Sequence, residues 1–220
     1  MDIKPPFALP ARERRFTPGL VEFRAASGDT PKRMSGYAAK FGVRSENLGY
    51  GDIEFYEIIE TPAFNDALED DVRGLFNHDA NLILGRNKSK TLRLAVDSTG
   101  LAYDIFPGEQ SYARDLEISM ARGDVNQSSF AFSMAGDYSG ERWVREGKVV
   151  TRYIKKVARL YDVSPVTYPA YPDTNVGLRS LVDAYSQAVR SGAIPNEPGI
   201  IDPAIVHAHR ARALDLAAKE

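Results

Sequence analysis

Three histidines and no cysteine leave few side chains able to move a proton or attack a carbonyl near neutral pH. His78 lies in "GLFNHDANLILGR", between an amide and a carboxylate and among apolar residues, whereas His207 and His209 stand close to the C-terminal end. A histidine in such surroundings is either a packed core or turn residue or a general base. The second role needs an acceptor to orient the ring and a hydroxyl whose proton the ring can take. The missing cysteine excludes disulfides, thiolate zinc sites and a cysteine nucleophile together. His207-Ala208-His209 would set its rings about 200° apart on a helix, and no HExxH spacing occurs. No metal or cofactor is therefore expected, and the two C-terminal histidines read as solvated residues of a tail.

A hydroxyl partner is offered by "GDVNQSSFAFSM". Strand alternation puts Ser128, Phe130, Phe132 and Met134 on one face and Ser129, Ala131 and Ser133 on the other. With the large apolar residues turned to the core, Ser129 faces away from it, either into a cleft or merely toward water. An orienting acid is offered by "RLYDVSPVTYPAYP", where Asp162 interrupts a run of strand formers. A carboxylate there needs a partner unless the strand lies at a surface edge. His78 is a candidate for that partner.

The elements that must position these groups are short. "DIEFYEII" alternates like a half-buried strand, and "TLRLAVDSTGLAYDIFP" is a hairpin turning at Asp97 to Gly100. "TPAFNDALEDDV" predicts a short helix from its Thr61 cap, Pro62 and the Phe64/Leu68 pair. "SYARDLEISMARGD" predicts a helix ending at Gly123, and "NVGLRSLVDAYSQAVRSG" an amphipathic helix ending at Gly192. "ERWVREGKVVTRYI" predicts two strands about a turn at Glu146-Gly147. Residues 1–18, with prolines at 5, 6 and 10 and "RERR", read as a flexible arm, residues 19–192 as the main domain, and residues 193–220 as a proline-rich linker with a weakly helical tail.

Apolar residues at 43% and charged residues at 26% suit a globular domain with a core. A net charge of −2 gives no general basic field, so neither nucleic acid nor an anionic membrane surface is an expected partner. No run approaches the roughly 20 apolar residues of a membrane span, and the N-terminal prolines and charges do not read as a secretory signal.

Several blocks, in order, resemble the prohead maturation proteases of tailed bacteriophages: "GYAAKFG", "PAFNDAL", "LFNHD", "TLRLAVDSTGLAYDI", "RGDVNQSSFAF" and "LYDVSPVTYPAYPDTNVGLR", from about Gly36 to Arg179. The resemblance implies an α+β fold, β-barrel-like and mostly antiparallel with short surrounding helices, similar to the herpesvirus assemblins, and flexible terminal segments. It implies that His78 is the catalytic histidine, Ser129 the nucleophile and Asp162 the third triad member, where relatives commonly carry glutamate. Position 128, often methionine in relatives, is Ser128 here and faces away by alternation.

The resemblance further implies a serine endopeptidase that acts in the host bacterial cytoplasm, inside the assembling procapsid. Its partners would be the major capsid protein, a scaffold domain or scaffold protein, and the enzyme itself. It allows a homo-oligomer, although no interface is legible in the residues. The alternative is a non-enzymatic assembly or scaffolding factor that keeps the fold. A small-substrate hydrolase lacks support, since no Gly-x-Ser-x-Gly occurs.

Overall fold

The computed structural model describes residues 12–168, 176–195 and 197–217. In chain order the strands are β1 (Glu13–Leu20), β2 (Glu22–Arg24), β3 (Arg33–Lys40), β4 (Glu54–Ile59), β5 (Arg73–Phe76), β6 (Asp79–Arg86), β7 (Leu92–Val96), β8 (Gly100–Ile105), β9 (Gln127–Ser133), β10 (Glu141–Glu146), β11 (Val149–Ile154), β12 (Arg159–Val166) and β13 (Gly199–Ile201). The helices are α1 (Ser111–Ala121), α2 (Val176–Arg190) and α3 (Pro203–Ala217).

Among the described residues the strands form three open sheets, ordered β1-β9-β12-β5-β6, β13-β10-β11-β4 and β2-β3-β8-β7. Pairing is antiparallel except between β12 and β5 and between β11 and β4. The α+β class agrees with expectation, but the barrel-like sheet does not. Closure requires unbroken pairing around a ring, and here each sheet ends on its own edge strands.

Alternation sets the two cores. In β9, Phe130 and Phe132 are fully buried with ring centroids 5.1 Å apart, and Phe64 meets Phe130 edge-on at 5.4 Å. A second core of Phe55, Trp143, Leu181, Tyr185 and Val206 fills the space between the β10-β11 sheet and helices α2 and α3. The β10-β11 hairpin turns at Gly147, whose φ of 62° is open to glycine without steric cost.

Local structure departs from the sequence reading in three places. Residues 61–69 form successive turns instead of a helix, with Asn65 N–H bonded to Pro62 O and Ala67 N–H to Phe64 O. Phe64 and Ala67 are buried there all the same, so packing shapes the segment. From Glu13 the expected arm is strand β1, with its irregularity between Thr17 and Leu20, where Pro18 cannot donate to the ladder. Residues 1–11 of the arm lie outside the described residues. In the expected linker and tail, β13 pairs with β10, placing Ile201 opposite Trp143, and α3 packs on α2 with Val206 buried. His207, expected in solvent, is only 9% exposed. Its Nε2 lies 2.5 Å from Glu141 Oε1, and its ring stacks on Tyr138.

Candidate active site

The β5-β6 connection is a two-residue hairpin turn in which Phe76 pairs with Asp79, while Asn77 and His78 take φ values of 53° and 58°. Two successive left-handed residues are what a type I′ turn demands, and asparagine is among the side chains that tolerate the first position. Asn77 fastens this turn to the end of β12: its N–H donates to Pro165 O at 3.0 Å, and its side-chain carbonyl accepts from Thr167 N–H at 2.9 Å. The turn thus carries His78 over the face of the sheet formed by β9 and β12.

On that face Ser129 of β9 stands opposite Ser164 of β12. A register shift between Leu160 and Asp162 aligns Asp162 with Ala131, so the acid and Ser129 share the face. His78 Nδ1 lies 2.5 Å from Asp162 Oδ1, and His78 Nε2 lies 2.6 Å from Ser129 Oγ. A carboxylate only accepts, so Nδ1 carries the ring proton and Nε2 is left free to accept from the serine hydroxyl. The hydroxyl also lies 2.9 Å from the backbone carbonyl of Arg15 in β1. Its one proton has two acceptors, and attack on a substrate requires it to lie toward His78.

The three residues singled out by type and pattern therefore meet in one hydrogen-bonded line. Ser128 does not join them: its Oγ is 2.8 Å from the Tyr103 hydroxyl, inside the core. Sequence reasoning does not single out three further members. Ser164 Oγ donates to Asp162 Oδ1 at 2.9 Å, Arg12 Nη2 donates to Asp162 Oδ2, and Asn77 holds the histidine turn. Ser164 has a signal, since it lies two residues beyond Asp162 on the same strand face. Arg12 has none, because its neighbours read as an arm.

Asp162 is fully buried, and the His78 side chain is 8% exposed. Burial alone would push the Asp162 carboxyl up, but His78, the Arg12 guanidinium and the Ser164 hydroxyl together hold it below the ordinary aspartate value. The acid is therefore charged at neutral pH. A buried carboxylate aligned with a neutral imidazole and a hydroxyl is the arrangement that turns serine into a nucleophile. Among the described residues no group of three or more His, Cys, Asp or Glu is placed to hold a metal ion.

Residues 20–187 match the sequence model described as the caudovirus prohead serine protease. The chain belongs to this family. No curated protein and no solved structure matches it. The family is one of serine peptidases of the phage prohead. The matched span contains His78, Ser129 and Asp162 but stops short of Arg12 on one side and of β13 and α3 on the other. Among the described residues no helix is long and apolar enough to cross a membrane.

Proposed function

We propose that the chain is a prohead maturation endopeptidase in which Ser129 attacks a peptide carbonyl, His78 is the general base and then the general acid, and Asp162 orients the ring. The observation that carries this reading is His78 lying within hydrogen-bonding distance of Ser129 on one nitrogen and of Asp162 on the other. Ser129 Oγ forms the new C–O bond while its proton passes to Nε2. The tetrahedral intermediate collapses as Nε2–H protonates the leaving amine, and water then repeats the sequence on the acyl-enzyme. Backbone N–H groups at the developing oxyanion would contribute about 3 to 4 kcal/mol each.

The substrates in this reading are the scaffold domain or scaffold protein, the major capsid protein and the protease itself, presented at high effective concentration inside the procapsid. Extended segments suit a protein whose site lies on an open sheet that ends in β1 and β6. Self-cleavage fits best in exposed segments. Near the C-terminus these are Pro195 and residues 197–198, between buried Ile194 and strand β13, whereas Glu13–Leu20 of the arm are held in the sheet as β1.

Co-expression of the cognate capsid protein with wild type or with Ser129→Ala tests the reading. Capsid-protein shortening with wild type and none with the variant is expected. Shortening with both rejects Ser129 as nucleophile, and full-length capsid protein with both returns the non-enzymatic assembly factor.

A further inference from the structure

Beside the proposed catalytic line a cleft of about 230 Å³ opens across β12, β5 and β6, lined by Arg12, Arg73, Arg159, Tyr161, Leu75 and Ile83, and also by Ala80 and one carboxylate, Asp71. Register shows that it shares a sheet face with the triad: Arg159 is opposite Ser133, Asp162 is in register with Arg73, and Leu75 with Ile83. Tyr161 sits in the β12 irregularity beside Asp162, and its hydroxyl is 3.4 Å from Ser133 Oγ. The tyrosine ring has one guanidinium over it from Arg12 and another from Arg159, each 4.9 Å from the ring centre.

The cations of this cleft are unequally occupied. Arg12 is committed to Asp162. Arg73 pairs with Asp71, whose two oxygens are also taken by Arg86 at 2.7 and 2.8 Å. Arg159 meets no carboxylate at ion-pair distance among the described residues; its contact is the Tyr161 ring. The floor is apolar, formed by buried Leu75 and by Ile83, which is 45% exposed. A guanidinium fixed on an aromatic wall above an apolar floor matches a short peptide carrying a carboxylate, which it can meet with two parallel N–H donors.

We infer that this cleft is a substrate subsite for an acidic side chain, Asp or Glu, with Arg159 as its specificity-determining cation. The assignment rests on reading Ser129 as the nucleophile. Ser129 and Ser133, the residue opposite Arg159, are four positions apart on β9, about 13 Å at strand spacing. An extended substrate would therefore carry its acid about three to five residues from the bond that is cut.

The test uses full-length Ser129→Ala protein and fluorescein-labelled 12-residue peptides of Ser, Thr and Val with two central Glu, Gln or Lys residues, read by anisotropy. The Glu peptide should bind about tenfold more tightly than the Gln peptide, as one charge-assisted contact gives, with Lys weakest. Adding Arg159→Gln should level the Glu and Gln peptides while the Arg159→Lys variant keeps part of the difference. Equal binding of Glu and Gln peptides, a preference that survives Arg159→Gln, or no binding of any peptide overturns the subsite. Labelling of wild-type Ser129 by a small fluorophosphonate is scored separately, so a failed peptidase reading and a failed subsite give different results.

Discussion

Asp162 shows how much a buried carboxylate depends on the groups that receive its lone pairs. His78 and Ser164 share one oxygen and Arg12 takes the other. Removing the guanidinium leaves that oxygen without its charged donor, and a charged hydrogen bond of this kind is worth about 1.5 to 3 kcal/mol. Arg12→Ala should slow fluorophosphonate labelling of Ser129 by about tenfold or more, with partial rescue by guanidinium ion in the buffer. The sign of the pH effect follows. Arg12 is one of the groups holding the Asp162 carboxyl down, so without it the acid takes up its proton at higher pH. The acid limb of the labelling rate should move upward in the variant, whereas a purely structural loss would lower the rate without moving the limb.

The β9 strand serves two purposes with adjacent serines. Ser128 shares a buried hydrogen bond with Tyr103, and burial pushes that phenol well above its ordinary value against the opposing effect of this bond. Ser128→Ala should leave capsid-protein shortening intact while lowering stability by about 1 to 3 kcal/mol, the cost of an unsatisfied buried hydroxyl, read as a fall in Tm. Activity lost with unchanged stability would show that the strand phase is wrong. That phase is legible in the sequence because period-two alternation sets Ser128 on the face of Phe130 and Phe132 and Ser129 on the other, although both faces of β9 are buried. The β7-β8 hairpin, α1 and α2 are legible for the same local reason: turn chemistry and periodicity coincide. Strand β1 is not. Glu13 and Arg15 look like residues of a solvated arm, and they are buried because of partners 139 and 42 positions away, Arg152 and Glu57. Local pattern carries no record of such pairings. The Asn77-His78 turn is legible in type but not in purpose, since its anchor on β12 is equally remote in sequence.

Behind the sheet, on the face away from Ser129, a buried chain of charge crosses the molecule. Arg15 bonds Glu13 and Glu57, Arg152 bonds Glu13, Glu57 and Glu141, and Glu141 meets His207 of α3. Arg152 is fully buried. Arg152→Met would take a buried guanidinium away from Glu13, Glu57 and Glu141 and should cost about 3 to 5 kcal/mol, measured by chemical denaturation. The same network sets an acid limit. For Glu13, desolvation raises the carboxyl but Arg152 and Arg15 pull it further down, and Glu141 is likewise lowered against burial by Arg152 and His207. Groups with depressed values in the fold stabilise it fully above their unfolded values. They lose that contribution as pH falls through the folded ones. Thermal stability should therefore be level near neutrality and decline below roughly pH 4; a decline that begins above pH 6 would show that these carboxylates are not the titrating groups.

The ends of this charge chain lie outside the span shared with the family: Glu13 and Arg15 before it, His207 after it. Opposite termini are thus mated through the interior, and neither can be exchanged alone. A hybrid that takes its opening strand from another phage and keeps the native closing helix would bury mismatched ions, while transplanting the two ends as a matched pair would preserve the balance.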